Sequence, residues 1–429
     1  MVAITGLSAL FILLVLGLPV AFAMAISGSI GLLMVGGMPM LSGILETVPF
    51  STANSYEMIT IPMFLLMAEL VIVSGVADDL FTAASKWVGR VPGGLAMATA
   101  VAGAGFGAIS GSSTAAAATL SSTSIPAMLR QGYDPKLAGG VVAISGTLAM
   151  MIPPSIALVV FGIIGDVSIG ALLIGGIIPG LLVTLTIILT VLALVTLDPS
   201  SAPAGRAYSM REKLASLKVS GPMIVLFAAV TGTIYLGIAT PTEAAAIGAF
   251  GALVLAFFSG KLTLKALTRS LVRAGHATAM ILMIILCAHI FGTFFTLTQI
   301  TQDLVHWVGE LQVSRWVIIA LILFGYIILG CFMDQFAILI LTVPVVLPVV
   351  VSLGFDPIWF GILAVVTAEV GMVTPPMGLN VFVVSRYTGR PLGEVFAGVM
   401  PHVVSHLILI AILTAFPSII LWLPSHMNY

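Results

Sequence analysis

Apolar residues run in long blocks along this chain, and polar positions are confined to short intervals between them. Blocks at about 2–18, 19–37, 58–75, 136–165, 170–197, 219–238, 241–259, 265–298, 357–388 and 396–424 approach or exceed the roughly 20 residues a helix needs to cross a bilayer. Two further blocks, 93–130 and 316–353, are too long for one crossing and short for two plus a turn. Both carry small or polar residues at their centres, and we read them as re-entrant hairpins. Irregular backbone is tolerated at membrane depth only when buried in protein or lining a wet cavity. The pattern predicts an all-α polytopic membrane protein. Its opening block, MVAITGLSALFILLVLGLPV, has no basic leader and no clear small-residue cleavage site, so a retained first span is expected.

Composition agrees: 60% of residues are hydrophobic and 7% charged, against about 25% charged in soluble domains. The net charge of -1 gives no reason to expect nucleic acid as a partner. Position matters more. Arg206, Arg211, Lys213 and Lys218 lie in one linker, and Lys261, Lys265, Arg269 and Arg273 in another, two spans later. The positive-inside rule makes both cytoplasmic. The 38–57 loop, with Glu46 and Glu57, then falls outside, as does the segment with Asp303 and Glu310. Ten crossings put both termini outside. Cys287 and Cys331 lie in apolar segments and read as packing residues.

The chain repeats itself. Shifted by 222 residues, Pro19 falls on Pro241, Pro126 on Pro348, Pro135 on Pro357, Pro153-Pro154 on Pro375-Pro376 and Pro179 on Pro401. Gly132-Tyr133-Asp134-Pro135 falls on Gly354-Phe355-Asp356-Pro357. Duplication explains a set of this size. Five crossings separate Pro19 from Pro241, and an odd number inverts the second copy, the arrangement of many secondary transporters. The expected organisation is one permease domain, with repeat 1 at about 1–198, a cytoplasmic linker at about 199–218 and repeat 2 at about 219–429.

Candidate chemistry lies at the hairpin centres and at two Pro-Pro breaks. The first centre reads Ser110-Gly111-Ser112-Ser113-Thr114, inside a run of small residues. Gly103, Gly107 and Gly111 have small-xxx-small spacing, which fits close packing, whereas four hydroxyls around a glycine suit a hard cation. Each Pro-Pro pair blocks its helix and strips partners from the preceding carbonyls. The half-helix that follows offers free N–H groups to an anion. The first break is flanked by Gly146, Thr147 and Ser155, and the second by Gly371, Thr374, Gly378 and Asn380. Asp334 in the second hairpin and Glu369 before the second break are ionisable groups at depth. Each either carries a proton or cation or pairs with an internal donor. His402 and His406 have chelating i, i+4 spacing, but without a companion ligand nearby in sequence they read as core residues, as do His276 and His289. Glu69 and Glu243 are weaker candidates near the interfaces. Segments 76–91 and 299–313, each with Trp and charge before a hairpin, are expected to be amphipathic arms tethering the hairpins. No P-loop and no catalytic constellation is present, so ATP hydrolysis by that route and enzyme activity are not expected.

At these residues the chain resembles the large membrane subunit of tripartite ATP-independent periplasmic (TRAP) transporters. The matching stretches are IPMFLLMAELVIVSGVADDL (61–80), FGAISGSSTA (106–115), SGTLAMMIPPS (145–155), LGCFMDQFAILILTVPVVLP (329–348) and EVGMVTPPMGLNVF (369–382). The resemblance implies an elevator mechanism driven by a sodium gradient in the bacterial inner membrane. It also implies a small membrane subunit, here as a separate chain, and a periplasmic substrate-binding protein as partners. One sodium site would use Ser110, Gly111 and Ser112 with backbone at Gly146, Thr147 and Pro153. The other would use Gly330, Met333, Gly371 and Thr374. An organic acid such as a C4-dicarboxylate or sialic acid would lie among Ser113, Ser155, Asp334, Gly378 and Asn380. Two other readings are a standalone sodium/dicarboxylate symporter and, in a different class, a channel or scaffold subunit.

Overall fold

A computed structural model describes residues 2–427, leaving out the side chains of residues 76–78, 108–110 and 219. The described residues form helices joined by short turns. The first half contains α1 (Val2–Val15), α2 (Val20–Ala53), α3 (Thr60–Ser74), α4 (Val76–Val88), α5 (Gly94–Ser110), α6 (Ser113–Arg130), α7 (Pro135–Met151), α8 (Ile156–Gly165), α9 (Ile169–Gly175) and α10 (Ile177–Leu197). The second contains α11 (Met210–Tyr235), α12 (Pro241–Phe258), α13 (Leu264–Leu297), α14 (Ile300–Glu310), α15 (Arg315–Phe332), α16 (Gln335–Ser352), α17 (Pro357–Gly371), α18 (Leu379–Thr388) and α19 (Leu392–Ala415). Among the described residues, 8 helices are long and apolar enough to cross a membrane, or up to 10 if each of two bent pairs counts as one span.

Two boundaries differ from expectation. The predicted 38–57 loop is mostly helical. Gly37 (φ 69°, ψ -167°) breaks α2 where the second span, 19–37, was expected to end, but the chain winds up again to Ala53. Glycine turns there without a Cβ clash, and Met40, Leu41, Ile44 and Val48 give the new segment an apolar face against the core. The 199–218 linker is also helical in its second part. Ser209 and Glu212 form a reciprocal capping box that starts α11 at Met210.

The element bounds follow the repeat. Shifted by 222 residues, α6 coincides with α16, and α5, α7 and α8 fall on α15, α17 and α18 within a few residues. The predicted arms are α4 and α14. Contacts cross between the halves in exchanged pairs, α2 on α13 and α3 on α12. Thr52 Oγ1 lies 2.8 Å from His289 Nδ1, and the buried hydroxyls of Thr60 and Thr242 meet at 2.7 Å. Arg273 lies 3.9 Å from Glu69. These helices, with α1 and α11, make an outer layer.

The core centres on α7 and α17. Every residue from Leu137 to Met151 and from Trp359 to Gly371 is buried. Both helices begin alike, with Asp134 or Asp356 capping and Pro135 or Pro357 in the first turn. The two hairpins, α5–α6 and α15–α16, lean on α7 and α17 respectively. The feet of each hairpin are tied: Leu95 N–H donates to the Tyr133 hydroxyl at 3.1 Å, and Arg315 Nη1 donates to the Leu353 carbonyl at 3.5 Å. Glycine allows the close approach. A Cβ on Gly107 would lie 2.7 Å from the Leu148 carbonyl oxygen, and one on Gly330 2.6 Å from that of Ala368.

Candidate site at two hairpin tips and two helix breaks

Each Pro-Pro pair does what its chemistry dictates. After Met151 the chain leaves the helix through Ile152, Pro153 and Pro154, and restarts at Ser155. The Ser155 hydroxyl bridges the break: it donates to the Met150 carbonyl and accepts from Leu158 N–H at 3.3 Å. Ser155 is fully buried, as are both prolines, so its donor is occupied by the fold. At the second break, Thr374 Oγ1 donates to the Val370 carbonyl at 2.6 Å. Gly378 (φ 56°) starts α18 without a side-chain cap, and Asn380 N–H reaches back to the Met372 carbonyl at 3.2 Å. Pro375, Pro376 and Met377 are exposed. The first break is enclosed and the second is open.

The hairpin tips pack on these breaks. Gly111 (φ 54°) ends α5 against Ile156, the first residue of α8; a Cβ there would lie 2.6 Å from the Ile156 Cδ1 atom. Gly330 lies against Gly371, where a Cβ would meet the Gly371 Cα atom at 2.8 Å. Gly146 packs on α6, with its Cβ position 3.0 Å from the Ser113 carbonyl oxygen. Ser112 caps α6 by accepting from Ala115 N–H at 3.4 Å. Its repeat mate, Asp334, caps α16 by accepting from Ala337 N–H at 3.2 Å.

The predicted residues therefore fall into two groups around one centre. Gly111, Ser112, Ser113, Gly146, Thr147, Pro153 and Ser155 gather at the first tip and break. Thr147 is buried there, its hydroxyl donating to the Ile144 carbonyl at 2.7 Å. Gly330, Met333, Asp334, Gly371, Thr374, Gly378 and Asn380 gather at the second. The Ser110 backbone ends α5, and its side chain lies outside the described residues. Asp334 is exposed, not buried as expected, because a capping carboxylate at a tip faces outward. Glu369 is the buried carboxyl, 2% exposed, and its Oε1 has no hydrogen-bond partner.

Other polar groups emerge only in three dimensions. Asn380 Nδ2 donates to the Ala143 carbonyl in α7 at 3.4 Å, and Gln335 Nε2 to the Val365 carbonyl in α17 at 3.3 Å. Ala143 and Val365 are repeat mates, so each central helix receives a side-chain amide at the same turn. Buried oxygens without partners fall at mated positions too: Ser113 Oγ with Gln335 Oε1, and Ser145 Oγ with Thr367 Oγ1. Gln335, Ser145 and Thr367 escaped the sequence reading. The signal was available, since Ser145 and Thr367 are hydroxyl residues 222 apart. His402 and His406 are buried in α19 as expected of core histidines, with His406 Nδ1 donating to the His402 carbonyl at 2.8 Å.

Residues 7–419 match the family model described as tripartite ATP-independent periplasmic transporter, DctM component. The chain belongs to the DctM family. DctM-family proteins are transport permeases, not enzymes, and this one is a multi-pass protein of the inner membrane. Family members work with a periplasmic binding protein and usually a small membrane subunit. The chain is 38% identical over 377 residues, 88% of each protein, to the C4-dicarboxylate TRAP transporter large permease protein DctM of Pseudomonas aeruginosa. It is 32% identical over 372 residues, 86% of this chain and 87% of the relative, to the sialic acid TRAP transporter large permease protein SiaM of Vibrio cholerae. Its fold is similar to that of the Alcanivorax borkumensis YdaH transporter, with a TM-score of 0.66, 16% identity and 90% of each chain covered.

Proposed function

We propose that this permease subunit takes up an organic acid by sodium-coupled secondary transport, receiving it from a periplasmic binding protein and working with a small membrane subunit. The observation that carries the reading is the convergence of four broken ends, two tips and two breaks, at the ends of two buried central helices. In this reading the repeats are inverted in the membrane. The hairpins and broken helices move as a body against the outer layer by an elevator motion, tethered by α4 and α14.

The donors near the first tip fit sodium. Ser113 Oγ and Ser145 Oγ are buried and without partners, and neutral oxygens of this kind suit a hard cation. Ser112, Gly146, Thr147 and nearby backbone would complete that site. Gly330, Met333, Gly371 and Thr374 would supply the second, mainly with carbonyl oxygens. The substrate carboxylate belongs at the second break. There α18 begins without a side-chain cap, so the positive end of its dipole can face an anion, while the N–H groups of Asn380, Val381 and Phe382 are bonded to the Met372 and Gly378 carbonyls. The Asn380 amide lies beside that end, and the segment is open. Ser155 instead holds the first break in shape, and the exposed Asp334 suits a cation better than an anionic substrate. The relatives named for C4-dicarboxylates and sialic acid both take carboxylates, which supports an organic acid here.

Proteoliposomes containing the permease and small subunit, given binding protein loaded with labelled acid, test this. Uptake should follow an inward sodium gradient and require the binding protein. Equal uptake without a sodium gradient overturns the coupling. Uptake without the binding protein makes the chain a standalone symporter.

A further inference from the structure

The second half carries an apolar groove on its surface. It runs between α15 and α19 with a volume of about 600 Å³, Ala320, Phe324 and Ile327 on one wall and Leu407 and Ala411 on the other. Trp316 stands at its mouth. From Trp316 to Ile327 is 11 residues. That is about 16 Å of helix, close to the depth of one leaflet when the whole hydrocarbon core is about 30 Å. A protein helix crossing the membrane would need a channel twice as long. Thr367 and Thr414 are the hydroxyl residues of the lining; Thr414 donates to the Ile410 carbonyl, and Thr367 Oγ1 is without a partner.

One cation, Arg315, directly precedes Trp316. Arg315 is exposed, with its guanidinium 5.1 Å from the Phe355 ring centroid and 5.7 Å from that of Trp316. One nitrogen donates to the Leu353 carbonyl, which leaves the rest of the guanidinium fork to bind outward. The neighbouring Asp356 carboxylate is engaged with the Ile358 and Trp359 amides. In the first half the mates of Arg315 and Trp316 are Gly93 and Gly94, and the seam is shut. There α5 packs on α10, with a Cβ position at Gly93 only 3.0 Å from Val191.

We propose that this groove holds one acyl chain of a phospholipid whose phosphate rests on Arg315. Guanidinium and phosphate make a charge-assisted pair at the interface. The groove covers the chain along one leaflet, which no flat helix face does.

The test is native mass spectrometry of the purified permease, titrated with palmitoyl-oleoyl phosphatidylglycerol and, separately, with the matching phosphatidylethanolamine. One lipid should remain bound in the wild-type protein under activation that strips the others. Arg315→Ala should lower that retained fraction about fivefold, and Arg315→Lys should recover part of it. Ala320→Trp and Ala411→Trp, each filling the groove, should abolish it while thermal unfolding of the protein is unchanged. Retention of either lipid undiminished in Arg315→Ala and both tryptophan variants overturns the site. So does crosslinking of a cysteine at Ala320 to the small subunit in cells, since a protein would then cover the groove.

Discussion

The two repeats share a backbone plan and differ in how they close it. At the first hairpin the feet are joined by a neutral bond, Leu95 N–H to the Tyr133 hydroxyl, and the cap at the tip is Ser112. At the second, Arg315 sits over an aromatic cluster in which Phe355 and Trp359 stack at 4.9 Å, and the cap is Asp334. The first break is buried and spanned by a serine hydroxyl; the second is open and begins α18 with a glycine. Small residues seal the first half, while larger ones leave the second with an exposed entrance and a groove. The two breaks share their position in corresponding helices and differ in that one is enclosed and the other exposed.

Four tests would break or sharpen that contrast. The largest effect is expected at the glycine contacts that press tips onto central helices. Gly107→Val and Gly330→Val each force a side chain into a backbone carbonyl, and overpacking of this kind costs about 1–3 kcal/mol, occasionally more. Both should lower the melting temperature in detergent and abolish uptake. A well-folded, active Gly330→Val variant would show that the second tip does not need its contact with Gly371.

Next are the mated amides. Asn380→Ala leaves the Ala143 carbonyl without its side-chain donor and removes a proposed substrate contact, whereas Gln335→Ala does the same to Val365 within one repeat. Each should cost about 1–3 kcal/mol of stability. Only Asn380→Ala should raise the half-saturating concentration of loaded binding protein or substrate; equal kinetic effects would remove substrate binding from the Asn380 role. Ser112→Ala and Asp334→Ala test the caps, each worth roughly 0.5–2 kcal/mol. If the first tip ligates sodium, Ser112→Ala should also weaken apparent sodium affinity.

The smallest effect concerns the 199–218 linker. Hydrogen bonds from the Ser209 backbone N–H and then its hydroxyl hold the exposed Glu212 carboxyl below its usual range. Because the folded-state value is lowered, the cap contributes fully above the ordinary carboxylate range and is lost as pH falls through the lowered value. Amide exchange in the first turn of α11, corrected for intrinsic rates, should quicken across that window in the native chain and not in Glu212→Gln.

Much of this was legible in the sequence because proline and glycine constrain backbone directly. The 222-residue register paired the two Pro-Pro breaks, and the bounds of α5 to α8 follow it onto α15 to α18. Depth and exposure were not legible. Apolar periodicity is weak in a helix surrounded by protein and lipid, so it could not say that Pro153 is enclosed while Pro375 is exposed. The helical continuation past Gly37 was hidden because a glycine before Met38-Pro39 reads equally as a span end or a kink. Ser155 and Asp334 were recognised as polar residues at special positions, but capping consumes hydrogen-bonding capacity in a way that only geometry reveals. Arg315 looked like an ordinary flanking charge until the aromatic rings beneath it were placed.

The exchanged packing of the outer layer has a consequence for how the protein is made. Thr52 meets His289, 237 residues later, and Thr60 meets Thr242, 182 residues later. At the roughly 5–20 residues per second of synthesis, α2 and α3 wait on the order of 10 to 50 s for their partners to leave the ribosome. During that interval their future contact faces must be sheltered by lipid or by the insertion machinery.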